Sequence, residues 1–63
     1  MTTWLIEEEE VAHVNTTTRS TTDEKTAREM FRNTATRPGW RVNLWMNPDN
    51  GYTRLVKSKD YRP

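Results

Sequence analysis

The chain contains no cysteine, one histidine, two glycines and three prolines in 63 residues. Without cysteine there is neither a disulfide framework nor a cysteine zinc site. With His13 as the single imidazole, a metal would have to be held by carboxylates, so His13 reads as an exposed strand residue and no metal or cofactor is expected. No apolar run approaches the ~18 residues of a membrane helix, and the first residues lack the basic-then-apolar pattern of a secretion signal. The expectation is a soluble, cytoplasmic protein with no membrane partner. In that setting the Asn15-Thr16-Thr17 glycosylation triplet is a chance match.

Catalytic chemistry is equally scarce. Paired carboxylates among Glu7, Glu8, Glu9 and Glu10 would need a desolvated cleft to shift their pKa values, and so short a chain has little volume for one. No catalytic residue is assigned, and an enzyme is not expected. The length allows one domain, residues 1–63, with 59–63 charged, ending in proline and expected to fray. A single core is comfortable only above about 70–80 residues, so the chain is either a marginal monomer or one completed by a partner or a second copy.

What the chain does have begins with charge. The net charge of +1 divides into about −5 over residues 1–24 and about +6 from Lys25 onward. Either the two parts satisfy each other within one fold, or they form a bipolar surface that steers a charged partner. The four successive glutamates read as a solvated turn or edge guard, with an acidic contact that mimics nucleic acid as the functional alternative.

The strongest structural signal spans residues 40–58. Trp40, Val42, Leu44 and Met46 alternate with Arg41, Asn43 and Trp45, the period of a strand with one buried face. Residues 52–58 again suit a strand. Between them, Asn47, Pro48, Asp49, Asn50 and Gly51 have the chemistry of a turn, in which Gly51 is free to take positive φ. A four-residue loop sets Leu44 opposite Leu55 and Trp45 opposite Arg54; a five-residue loop sets Arg54 opposite Leu44. The first is preferred, because it joins two leucines on the buried side and lays Arg54 near the Trp45 ring.

Upstream, residues 2–6 read as a strand with Trp4 and Ile6 on one face, and residues 11–18 as a second, with Ala12, Val14, Thr16 and Thr18 on one side. The hairpin between them would turn near Glu8 and Glu9, where no Gly, Asn or Pro marks a turn. A helix capped by Thr3 and running to Val14 is the competing reading, since glutamate favours helices. Thr21 and Glu24 match a capping box that opens a helix to about Asn33, with Ala27, Met30, Phe31 and Thr34 inward and Glu24 paired to Arg28. Pro38 then stops the helix and Gly39 permits sharp entry into the strand at Trp40.

The order ββαββ predicts an α+β fold: an antiparallel four-stranded sheet in the order 2-1-3-4 with the helix on one face. The other face stays open and carries Arg41, Asn43, Trp45, Arg54 and Val56 in the preferred register. Trp45, Arg41, Asn43 and Arg54 are therefore the expected partner-binding residues, and Glu7, Glu8, Glu9 and Glu10 a candidate acidic contact. Tryptophan with arginine suits a protein interface, and it also suits nucleic acid through stacking and phosphate contact. The structural alternative is that Trp45 packs under the C-terminal tail or in a homodimer.

Thr22-Asp23-Glu24, the helix to Asn33 and Pro38-Gly39-Trp40-Arg41-Val42 follow an order that resembles small bacteriophage host-takeover proteins of ββαβ layout, such as the RNA polymerase inhibitor of bacteriophage T7. The resemblance covers residues 4–46 and is one of layout; the C-terminal hairpin departs from it. It implies a small binder that inhibits or redirects a larger host protein, and it transfers no functional residue. The expected function is a protein-binding module acting through an exposed sheet face or an edge strand. A nucleic-acid-binding module using the basic C-terminal half and a structural subunit of a larger assembly are the alternatives.

Overall fold

The computed structural model of the chain describes residues 1–12 and 15–62, so the readings made for His13, Val14 and the final proline of the 59–63 tail lie outside the described residues. The elements are β1 (Thr3–Glu10), β2 (Thr16–Thr21), α1 (Glu24–Asn33), β3 (Trp40–Asn47) and β4 (Arg54–Asp60). All strand pairs are antiparallel and the sheet order is β2-β1-β3-β4, as the sequence predicts. The shortest dimension, 15 Å, accommodates two layers, one sheet and one helix.

β1 is longer than expected. The four glutamates do not form the turn, and no helix replaces the strand: Glu7, Glu8, Glu9 and Glu10 complete β1, each aligned with a residue of β3. Helix propensity differs by only a few tenths of a kcal/mol per residue, and eight consecutive pairs along a central strand outweigh it. The hairpin closes later, where the Glu10 amide donates to the Asn15 carbonyl at 2.8 Å and the Asn15 side chain donates to the Glu10 carboxylate at 2.8 Å. Ala12 accordingly lies in the turn, and β2 begins at Thr16.

The helix starts one step differently from the predicted box. Asp23, not Thr21, is the N-cap, and its carboxylate accepts from the Thr26 amide at 2.9 Å and from the Thr26 hydroxyl. Thr21 supports the cap from outside by accepting from the Asp23 amide. A carboxylate is the stronger acceptor for a helix N-terminus, which carries positive partial charge. The expected Glu24–Arg28 pair forms at 2.9 Å. At the far end Thr34 caps by donating its amide to the Met30 carbonyl, and Arg19 reaches from β2 to the Thr34 hydroxyl, placing a cation by the negative helix terminus. Gly39 then takes φ of 82°, a conformation natural to glycine, as the chain turns into β3.

The core lies between α1 and the inner strands: Trp4, Ile6, Ala27, Val42 and Leu44 are buried, with Met30, Phe31, Met46 and Val56 packed against them. The expected Ala27, Met30 and Phe31 stripe is this contact. α1 lies over β1, β2 and β3, and meets β4 through side chains, Lys59 reaching the Arg32 carbonyl and the Phe31 ring.

The register of the last hairpin differs from both alternatives. The connection spans residues 48–53, Met46 aligns with Arg54, and Trp45 aligns with Leu55. A bulge then inserts Val56, so that Leu44 aligns with Lys57. The loop register sets Leu55 with Trp45 on the open face, and Val56 packs on the core. Leu44 and Leu55 are therefore not partners, and Arg54 and Val56 leave the open face. Tyr52, expected in the strand, is 92% exposed in the loop. Gly51 does not use positive φ; a Cβ there would stand 3.0 Å from the Pro48 ring, so its role is close approach. Lys59 and Asp60, expected in a frayed tail, complete β4 opposite Val42 and Arg41.

Two predictions follow from these assignments. Leu44→Ala is expected to destabilise by about 2–5 kcal/mol and Leu55→Ala by less than about 1 kcal/mol in urea denaturation; equal costs would contradict the register. Its two bonds from Thr26, the side-chain one foremost, hold the Asp23 carboxyl below its ordinary 3.8. A lowered folded-state pKa means stability that is present above the unfolded value and lost as pH falls through the folded value. The melting temperature of the wild type should therefore fall more steeply below pH 4 than that of Asp23→Asn, and parallel curves would show that this cap does not titrate with folding.

Candidate functional site

Alternation along the central strands sends Leu5, Glu7 and Glu9 of β1 and Arg41, Asn43 and Trp45 of β3 to the face opposite the helix. Cross-strand alignment pairs Leu5 with Trp45, Glu7 with Asn43 and Glu9 with Arg41. β2 adds Ser20, Thr18 and Thr16 beside the same three β1 residues, and β4 adds Leu55, Ser58 and Asp60.

These side chains form one connected polar row. The Glu7 carboxylate accepts from the Trp45 indole N–H at 3.0 Å and from the Asn43 amide at 2.9 Å. The Asn43 amide also reaches Glu9 at 3.4 Å. Arg41 stands 3.6 Å from Glu9 and donates to Asp60 at 2.9 Å. The hydrogen bond from Arg41 to Asp60, reinforced by the Asp60 charge, raises the Arg41 pKa above its ordinary value and keeps it a cation. Asn43 is 4% exposed even though it lies on the open face, because its neighbours close over it. Its burial is tolerated because the amide protons are used.

One end of the row is apolar. Trp45 is half-buried, Leu55 is 51% exposed, and a concavity of about 250 Å³ is lined by Leu5, Glu7, Thr18, Trp45 and Thr53. Glu7 fixes the indole plane, so the ring is held before any partner arrives.

Of the residues expected to bind a partner, Trp45, Arg41 and Asn43 share this face. Asn43 is enclosed and serves to hold its neighbours, and Arg41 is engaged by Asp60 and Glu9. Arg54 lies on the opposite side, aligned with Met46, and together with Trp4 and Val56 lines a groove beside the helix. The four glutamates are divided by strand alternation: Glu7 and Glu9 on the open face, Glu8 and Glu10 on the other. Leu5, Thr18, Thr53 and Leu55 were not anticipated as site residues. Leu5 is legible in hindsight, since it alternates with Trp4 and Ile6; Leu55 depends on the six-residue loop, which sets it opposite Trp45 and whose length the sequence does not mark.

Among the described residues, no group of three or more His, Asp or Glu side chains is placed to hold a metal ion, and no helix is long and apolar enough to cross a membrane. No family model, curated protein or solved structure matches the chain.

The network makes Glu7 the residue on which the face depends. Glu7→Ala removes the partner of the Trp45 N–H and one partner of the buried Asn43 amide, and should cost about 1–3 kcal/mol. It should also move the Trp45 indole resonance in a nitrogen–proton spectrum, assigned by its absence in Trp45→Phe; an unmoved resonance would show that the bond does not form in solution.

Proposed function

We propose that the chain is a non-enzymatic protein-binding module that docks a larger protein through the open face of its sheet. The observation that carries this reading is Trp45, a large aromatic on the uncovered face, held by Glu7 and flanked by Leu5 and Leu55. Protein interfaces concentrate affinity in such rigid aromatic anchors with a polar surround, and the row from Glu7 to Asp60 supplies the surround. Pre-ordering the ring lowers the entropy cost of binding.

On this reading the chain acts in the cytoplasm as an inhibitor or modulator of a host assembly, the class that its resemblance to small bacteriophage host-takeover proteins implies. That cytoplasm is the host cell's if the chain is phage-encoded. The face is better suited to protein than to nucleic acid. Its acidic members, Glu7, Glu9 and Asp60, outnumber its single cation, Arg41, and would repel phosphates.

The test is capture of the tagged protein with its bound material from bacterial lysate, with and without nuclease, in parallel for wild type and Trp45→Ala. A discrete protein retained by the wild type after nuclease and lost from a folded Trp45→Ala would support the reading. Loss of all bound material on nuclease treatment would replace it with nucleic-acid binding, and self-association alone with a structural subunit. Unfolding of Trp45→Ala would make the ring part of the core.

A further inference from the structure

The helix covers the other face of β4 only in part. Between α1 and β4 runs a cleft of about 370 Å³ lined by Arg28, Phe31, Arg32, Leu44, Lys57 and Lys59. Arg54, Met46 and Val56 continue it toward the start of the helix. Its floor is apolar, from Phe31, Met46 and Val56 above the buried Leu44, and its rim is mainly cationic, with one carboxylate, Glu24, at the helix start.

The cations are not equally occupied. Arg28 is paired with Glu24 and lies over the Trp4 ring, with its guanidinium carbon 5.6 Å from the ring centre. Lys59 donates to the Arg32 carbonyl at 3.3 Å and lies 4.9 Å from the centre of the Phe31 ring. Arg32, Arg54 and Lys57 make no ion pair among the described residues. Three uncompensated cations therefore surround an apolar floor.

We propose that this cleft binds an acidic segment of a partner protein in which carboxylates alternate with apolar side chains. Carboxylates would pair with Arg32, Arg54 and Lys57, and the apolar side chains would rest on the partly exposed Met46 and Val56. The seven residues of β4 extend over roughly 23 Å, room for a similar length of extended peptide. Single-stranded nucleic acid also seeks cations, but it gains its affinity by stacking bases on aromatic faces. Here the Phe31 and Trp4 rings already carry Lys59 and Arg28, which leaves those faces occupied. The cleft lies across the sheet from Trp45 and does not rest on the open-face reading.

Fluorescence anisotropy tests the assignment with three labelled probes: a twelve-residue peptide alternating glutamate with leucine, a twelve-residue polyglutamate, and a twelve-nucleotide oligothymidylate. The alternating peptide should bind most tightly and weaken as salt rises. Lys57→Glu and Arg32→Glu, exposed residues on separate elements, should each weaken it about tenfold, while circular dichroism confirms that they fold. Trp45→Ala should leave it unchanged, which separates this cleft from the open face. Tighter binding of oligothymidylate would overturn the choice of ligand, and equal binding of polyglutamate would overturn the role of the apolar floor. Binding that is absent, or indifferent to both charge reversals, would leave the cations as a solvated edge.

Discussion

The antiparallel pairing of β1 with β3 is the constraint on which the rest of the structure depends. It runs through eight consecutive pairs without a shift, from Thr3 with Asn47 to Glu10 with Trp40. A one-residue slip would exchange the faces of every side chain. Both faces oppose that slip. On one, Trp4, Ile6, Val42 and Leu44 meet the helix, each fully buried large side chain contributing about 1.5–3 kcal/mol. On the other, Glu7 can bond Asn43 and Trp45 only in this alignment. An apolar core this small leaves part of the specification to polar side chains, and Asn43 is where that is visible: a buried amide on the nominally open face, satisfied by two carboxylates.

The fold was legible in the sequence because its signals are local and repeated. The Trp40 to Met46 alternation, the helix ending near Asn33, and the Pro38-Gly39 entry each rest on residues within a few positions of one another. Strand order then follows from the short connections. What was not legible is non-local. Four glutamates in a central strand contradict their own propensity, and they become strand only because β3 supplies Asn43 and Arg41 opposite Glu7 and Glu9. The bulge at Val56 is of the same kind. Its sequence is ordinary, yet it turns Lys57 and Lys59 to the helix side and sets Ser58 and Asp60 opposite Asn43 and Arg41. The expected site accordingly kept Trp45, Arg41 and Asn43, which alternation alone groups together, and lost Arg54, which depended on the register across the loop.

Width explains why two surfaces remain uncovered. A helix is about 10 Å across with its side chains, while four strands spaced about 4.8 Å apart span more than that. α1 sits over β1, β2 and β3, so the helix side of β4 is covered only in part, at Val56 and Lys59. The composition of β4 fits its place. Arg54, Lys57 and Lys59 occupy positions that a wider cover would have required to be apolar, and with the bulge they discourage pairing of this edge with another sheet. β2, the other edge, is threonine-rich, and its one cation, Arg19, is turned onto the helix terminus. The two edges are therefore unlike, and β2 lacks the bulge and the row of cations that guard β4.

The division of charge along the chain resolves unevenly in three dimensions. The acidic segment is largely absorbed: Glu7 and Glu9 hold the open face, Glu10 closes the first hairpin, Asp23 caps the helix and Glu24 pairs with Arg28. The basic segment is absorbed only in part, through Arg28 and Arg41. Of the remaining cations, Arg32, Arg54, Lys57 and Lys59 lie around the cleft between α1 and β4. A chain of net charge +1 thus concentrates positive charge on one side of the sheet, and a local field of this kind is what would steer an anionic segment to the proposed cleft. Among the described residues the side-chain ion pairs that join the two parts of the chain are Glu9–Arg41 and Glu24–Arg28, whereas Glu7, Glu10 and Asp23 are held by neutral donors, so neutralisation between the parts accounts for only a share of the pattern.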